Sequence, residues 1–138
     1  MKYFEIKNIV DILAGIKLCK ISDSDINSGI LMSYLALRKI VKDVEADKQE
    51  LVMKFQNDWE EERDAVFALR REKKPIEGHD DYLKAVGETN LILQKMDETE
   101  MEVSIKPVKM DKFVASIPGE EINLEQIATL VDGGILEE

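Results

Sequence analysis

The residues best equipped for chemistry are few, and the first group is Glu77, His79, Asp80 and Asp81. Carboxylates around an imidazole are metal-ligand chemistry, yet the cluster supplies one His and no Cys, which matches no zinc pattern. A calcium loop needs oxygen ligands spaced regularly over about twelve residues, and these are missing. The four residues read instead as a polar loop entering a helix N-cap, so no metal ligand is assigned. Cys19 would need a neighbouring base to act as a nucleophile. The only histidine, His79, falls at the opposite end of the helical hairpin expected below, so Cys19 reads as a small packed residue at a helix end. The acidic run from Asp58 to Asp64 and the pair Glu120 and Glu121 offer acids and bases, but carboxylates on exposed helices form solvated faces. No Ser-His-Asp set, Gly-rich phosphate loop or dinucleotide fingerprint is present. The expectation is a protein that is not an enzyme, with no catalytic, cofactor-binding or metal residue and no cofactor.

Lys48 carries a different kind of information, through the element that must hold it. Ile30, Tyr34, Leu37, Val41, Val44, Lys48, Leu51 and Phe55 recur at spacings of four and three, a heptad stripe with Lys48 its one charged member. A lysine at such a position either fixes register and oligomeric state or lays its stem over apolar neighbours at the edge of the seam. The stripe predicts a long helix, a coiled-coil-like rod, over residues 25–72, with a kink or a break near Asn57 where the polar stretch Gln56–Asp58 interrupts it. Ser24 or Asp25 can cap its start. Acids beyond Asp58 and the bases Arg70, Arg71, Lys73 and Lys74 follow the sign order that a helix dipole favours.

The remaining elements read as packing for that rod. A helix over residues 7–19, capped by Asn8, turns Ile9, Ile12, Leu13 and Ile16 to one face, with Gly15 as a point of close approach for another helix. The short Ser- and Asp-rich link after it makes the first two helices antiparallel neighbours. Pro75, Gly78 and His79 mark a loop, and a helix over 80–97 then folds back beside Trp59 to Leu69. Alternation of Met101, Val103 and Ile105 with Glu102, Ser104 and Lys106 predicts a strand over 101–106, ended or confined to an edge by Pro107. Ile117-Pro118-Gly119 is a turn. Asn123 caps a last helix over 123–131, closed by Gly133 and Gly134. Helices on both sides leave Lys39 to Lys54 without a helical neighbour. Val41, Val44, Lys48 and Leu51 are therefore a candidate interaction face, unless the strand and last helix cover them.

Composition narrows the partners. The chain has 138 residues, 44 % apolar, 35 % charged and only 6 % aromatic, which suits one domain of solvated helices. A net charge of −10 argues against nucleic acid and against anionic membrane surfaces. One cysteine excludes an intrachain disulfide and fits a reducing cytoplasm. There is neither the basic-then-apolar run of a signal peptide at Met1–Ile6 nor an apolar stretch of membrane-spanning length. The expectation is a cytoplasmic protein that binds a protein partner or self-associates as a homo-oligomer.

The order of features resembles that of a family of small phage and prophage proteins whose function is not established. The resemblance lies in the short apolar helix Ile9–Leu18 and in the long helix Asp25–Phe55 with its Glu45, Gln49, Glu50 and Leu51 section. It continues in the stretch Asn90–Met96 leading into Glu100–Ile105, and in the short terminal helix Leu124–Val131. Between Trp59 and His79 the chain is longer and more charged than the pattern. The resemblance implies a phage-derived, non-enzymatic role near virion assembly, and it supplies no site residues. Together these readings predict a single mainly α (α+β) domain over 1–138. Its expected form is an antiparallel helical hairpin or bundle on one long helix, with one or two short strands near the C-terminus. The expected function is a structural or protein-interaction protein, with an acidic regulatory module (antitoxin- or inhibitor-like, binding a basic protein) as the alternative.

Overall fold

The computed structural model describes every residue, Met1–Glu138. It is mainly helical: α1 (Tyr3–Ala14), α2 (Ser24–Asp58), α3 (Glu60–Arg71), α4 (Asp80–Asp97), α5 (Met110–Ser116) and α6 (Leu124–Asp132). Two short strands near the C-terminus, β1 (Val108–Lys109) and β2 (Leu136–Glu137), pair in parallel with Val108 opposite Leu136. The chain divides into two compact units, Met1–Lys42 with Glu98–Glu138, and Asp43–Asp97. Helix α2 contributes residues to both.

The first unit holds most of the core. Tyr3, Ile6, Ile9 and Leu13 of α1, Ile30 and Leu37 of α2, Phe113 of α5, Leu130 of α6, and Ile135 and Leu136 are all buried. Helix α1 occupies 3–14, not 7–19, and Asn8 lies inside it. The helix starts early because the Glu5 carboxylate accepts the Lys2 N–H at 2.8 Å and the Tyr3 N–H is taken up by the Thr99 carbonyl at 3.0 Å. The cap of α2 is Asp23, one residue before Ser24 and two before Asp25, its Oδ1 accepting the N–H groups of Asp25 and Ile26 at 2.9 and 3.1 Å. At Asn123 the cap is reciprocal: its side chain accepts the Gln126 N–H at 2.8 Å, and the Gln126 side chain accepts the Asn123 N–H at 3.0 Å.

Close approach occurs at Gly29, where a Cβ would lie 2.4 Å from Cγ1 of Val108. At Gly15 a Cβ would meet only carbonyl oxygens of Asp11 and Ile12. The strand expected over 101–106 does not form. Met101, Val103 and Ile105 are half-buried and Glu102, Ser104 and Lys106 exposed, so the two-residue alternation is there. The ladder is absent because no neighbouring strand runs beside these residues; pairing begins only at Val108.

The second unit is built from Asp43–Asp58 of α2 with α3 and α4. Of the kink and the break allowed near Asn57 in the helix over 25–72, the structure has a break: α2 and α3 meet at Trp59, two residues farther on. Trp59 departs from helical geometry at φ −122° and ψ 22°. Bonds of helical spacing persist on either side, from the Trp59 N–H to Phe55 and from the Arg63 N–H to Trp59, at 3.1 and 2.8 Å. Glu60, Glu61 and Glu62 sit in the first turn of α3 and Arg70 and Arg71 in its last, where the helix dipole favours each sign.

Helix α3 stops before Pro75 can act. Lys73 takes the left-handed conformation (φ 55°), and the Lys73 and Lys74 N–H groups close back onto Arg70 and Leu69 at 3.1 and 2.9 Å. Helix α6 stops by the same motif with Gly134 (φ 76°) in that place, the N–H groups of Gly134 and Ile135 reaching Val131 and Leu130. Tyr82, near the start of α4, packs against Phe55 and Trp59 with ring centroids 5.9 and 6.0 Å apart.

Candidate interaction surfaces

The four residues of the expected interaction face, Val41, Val44, Lys48 and Leu51, are each half-buried. Val41 packs on the core of the first unit. In the second unit the Lys48 ammonium pairs with the Asp97 carboxylate, at the last residue of α4, and the Lys48 side chain is 16 % exposed. Asp97 answers the question raised by a lysine in the stripe. Its charge is met by a carboxylate of the same chain, 49 residues away in sequence. The section from Lys39 to Lys54 was expected to lack a helical neighbour because α4 was placed only beside residues beyond Phe55. In the structure its C-terminal end comes back to Lys48.

The loop cluster resolves differently. The His79 ring pairs through Nδ1 with Glu62 of α3, which anchors the loop before α4. Glu77, Asp80 and Asp81 are exposed and make no set with them. No three His, Cys, Asp or Glu side chains converge to hold a metal ion anywhere in the chain. Cys19 is exposed in a 3-10 turn, Leu18–Lys20, not packed at a helix end. Helix α1 has already ended at Ala14, so the residue falls outside its packed face. Glu120 is exposed and Glu121 half-buried in a second 3-10 turn, Gly119–Glu121.

Two features are open to solvent. In the second unit the large apolar side chains of Met53, Phe67, Leu83, Leu91 and Ile92 are exposed, Leu91 by 57 %. Leu91 and Ile92 are adjacent on α4, whose inward positions are Tyr82, Val86, Leu93 and Met96. Ile92, next to Leu93 in sequence, is turned out to solvent. The second surface is a groove of about 760 Å³ in the first unit. Its walls are one face of α2 (Ser28, Gly29, Met32, Ala36) and the stretch Ser104–Lys109.

Three lysines, Lys106, Lys109 and Lys112, line this groove together with Asp23 and Asp25. Asp23 is engaged as the α2 cap, and Lys109 pairs with Glu137 at 3.1 Å. Ser33, 3 % exposed, also lines the groove. Nothing in the spacing of these residues announces the groove, because its two walls are more than sixty residues apart in the chain. No helix is long and apolar enough to cross a membrane. The chain matches no protein-family model, no curated protein and no solved structure.

Proposed function

We propose that this protein is a non-enzymatic structural or interaction protein that presents helical surface to a protein partner. The observation that carries the reading is the apolar exposure of the second unit. A helical unit with only Val66 and Tyr82 buried among its apolar residues leaves Phe67, Leu91 and Ile92 in water. Contiguous apolar patches on a surface mark contact sites, and Leu91 and Ile92, adjacent on α4, are proposed to form one.

The unit is proposed to be an antiparallel helical hairpin. In support, Tyr82 at the start of α4 touches Phe55 and Trp59, and Asp97 at its end pairs with Lys48. An amphipathic partner helix laid along α4 is the mode that fits such a face. A phage or prophage origin, with an accessory role in virion assembly, is the context that the order of features suggests. An acidic regulatory module is the second reading, supported by the net charge of −10. A cytoplasmic setting agrees with both.

Co-expression of the full chain with the products of its neighbouring genes tests the proposal. The expected result is a stoichiometric complex that survives chromatography and is lost in Leu91→Asp/Ile92→Asp. Virion components as partner support the leading reading, and a small basic protein supports the second. A complex that forms equally well with the double variant removes α4 as the docking face.

A further inference from the structure

We infer that Glu102–Lys106 is a self-pairing edge, which binds the same segment of a second copy as an antiparallel strand about a two-fold axis at Ser104. The surface lies wholly in the first unit, so the inference does not depend on the reading of α4. Three observations carry it.

The segment has the side-chain pattern of a strand without the strand's hydrogen bonds. Burial alternates residue by residue, with Met101, Val103 and Ile105 packed on the core and Glu102, Ser104 and Lys106 in solvent. At both ends the backbone is tied. The Met101 N–H is bonded to Met1 at 2.8 Å beside a Lys2–Glu100 bridge, and the Val108 N–H to Ile135 at 3.0 Å. Between these ties no backbone N–H or C=O of residues 102–106 bonds to another part of the chain. A row of unpaired groups held in strand register is a template for a further strand.

The sequence of the segment is self-complementary. Antiparallel pairing about Ser104 sets Glu102 opposite Lys106 twice, Val103 opposite Ile105 twice, and Ser104 opposite its own copy. Opposite charges facing each other across strands stabilise the pair, and like charges oppose it. Neither Glu102 nor Lys106 has an ion-pair partner within the chain, so both are available to the second copy. Lysine on an edge ordinarily deters pairing with other strands. Here the one register that satisfies Lys106 is the self register, and Pro107 falls outside it.

There is also room for a strand. The groove of about 760 Å³ is lined by Ser104, Ile105 and Lys106, the C-terminal part of this segment. The pairing is five residues long and smaller than a standard interface of roughly 1,600 Å², so the dimer is a weak one.

Sedimentation equilibrium of the full chain over a range of concentrations tests the inference. The wild type is expected to show a monomer–dimer equilibrium. Lys106→Glu and Glu102→Lys should each weaken it about tenfold or more, because each sets two like-charge pairs face to face. The double variant Glu102→Lys/Lys106→Glu restores the opposite-charge pairs and should return the dissociation constant to within about threefold of wild type. Both residues are exposed, and unchanged circular dichroism and melting temperature confirm that each variant folds. A chain that stays monomeric up to about 1 mM, where an association free energy near 4 kcal/mol would show, overturns the inference. So does a dimer that either single reversal leaves intact, or one that the double reversal fails to restore.

Discussion

The two units spend similar sequence material very differently. The first closes the Ser24–Lys42 part of α2, three shorter helices, two-residue strands and irregular segments from both ends of the chain on a shared core in which Leu37, Phe113, Leu130 and Ile135 are wholly buried. The second consists of regular helices from one continuous stretch, yet buries only Val66 and Tyr82 among its apolar residues. Helical regularity therefore does not by itself secure burial in this molecule. Helices close their own backbone hydrogen bonds and can persist with one half-buried face, supported by charge order and caps. Short irregular pieces have no such internal support and hold together only where a core is shared.

Breaking the core of the first unit should produce the largest effect. Phe113→Ala removes a wholly buried aromatic and is expected to cost about 3–5 kcal/mol in urea unfolding. A loss below about 1 kcal/mol would mean that stability does not reside in that core. Tyr82→Ala should cost less, about 2 kcal/mol, because the face it fills is shallower. Its signature is local: amide exchange should accelerate across α3 and α4 while α1 and α5 keep their protection. Uniform acceleration throughout the chain would erase the distinction between the units.

A finer comparison sets helix propensity against packing at Gly29. Alanine there gains roughly 1 kcal/mol of helix propensity. Its Cβ, however, would lie 2.4 Å from Cγ1 of Val108, a stiff β-branched side chain with little freedom to withdraw. The overlap costs about 1–3 kcal/mol and should leave Gly29→Ala destabilised overall, with part of the loss recovered in Gly29→Ala/Val108→Ala. A neutral or stabilising single variant would place the approach of α2 to β1 farther away than described.

The smallest effect compares the two helix ends built on the same motif. In α6 the left-handed residue is Gly134, whereas in α3 it is Lys73 at φ 55°. A non-glycine residue pays about 1 kcal/mol for that conformation. Lys73→Gly should therefore raise the melting temperature slightly, and Gly134→Ala should lower it. Equal, null results at both positions would show that neither end limits stability.

What could be read without coordinates was local. The heptad stripe of α2, from Ile30 to Phe55, is at least half-buried at every position. The Asn123 cap and the loop after α3 follow from residues within four positions of each other, the range over which caps and turns act. Helix α4 occupies Asp80–Asp97, the span its pattern assigns. The start of α1, the short helix α5 and which of kink or break occurs near Asn57 escaped that reading. Each depends on a neighbour distant in sequence or on a segment too short for periodicity to register. Alternation at 101–106 foretold which side chains turn inward and said nothing of whether a strand would lie alongside.

For the surfaces the division is sharper. Lys48 advertised itself as the one charge in an apolar stripe, but only the fold supplied Asp97 as its answer. Val41, Val44, Lys48 and Leu51 could be named from spacing, and only packing decided that each is half-buried. The amphipathic faces, the caps and the acidity are properties of residue order, set by bonds that reach a turn or less. The groove, the Gly29 contact and the unpaired edge at Glu102–Lys106 arise where segments from opposite ends of the chain meet. Those meetings were settled by the burial of the shared core, a free energy that no local stretch contains.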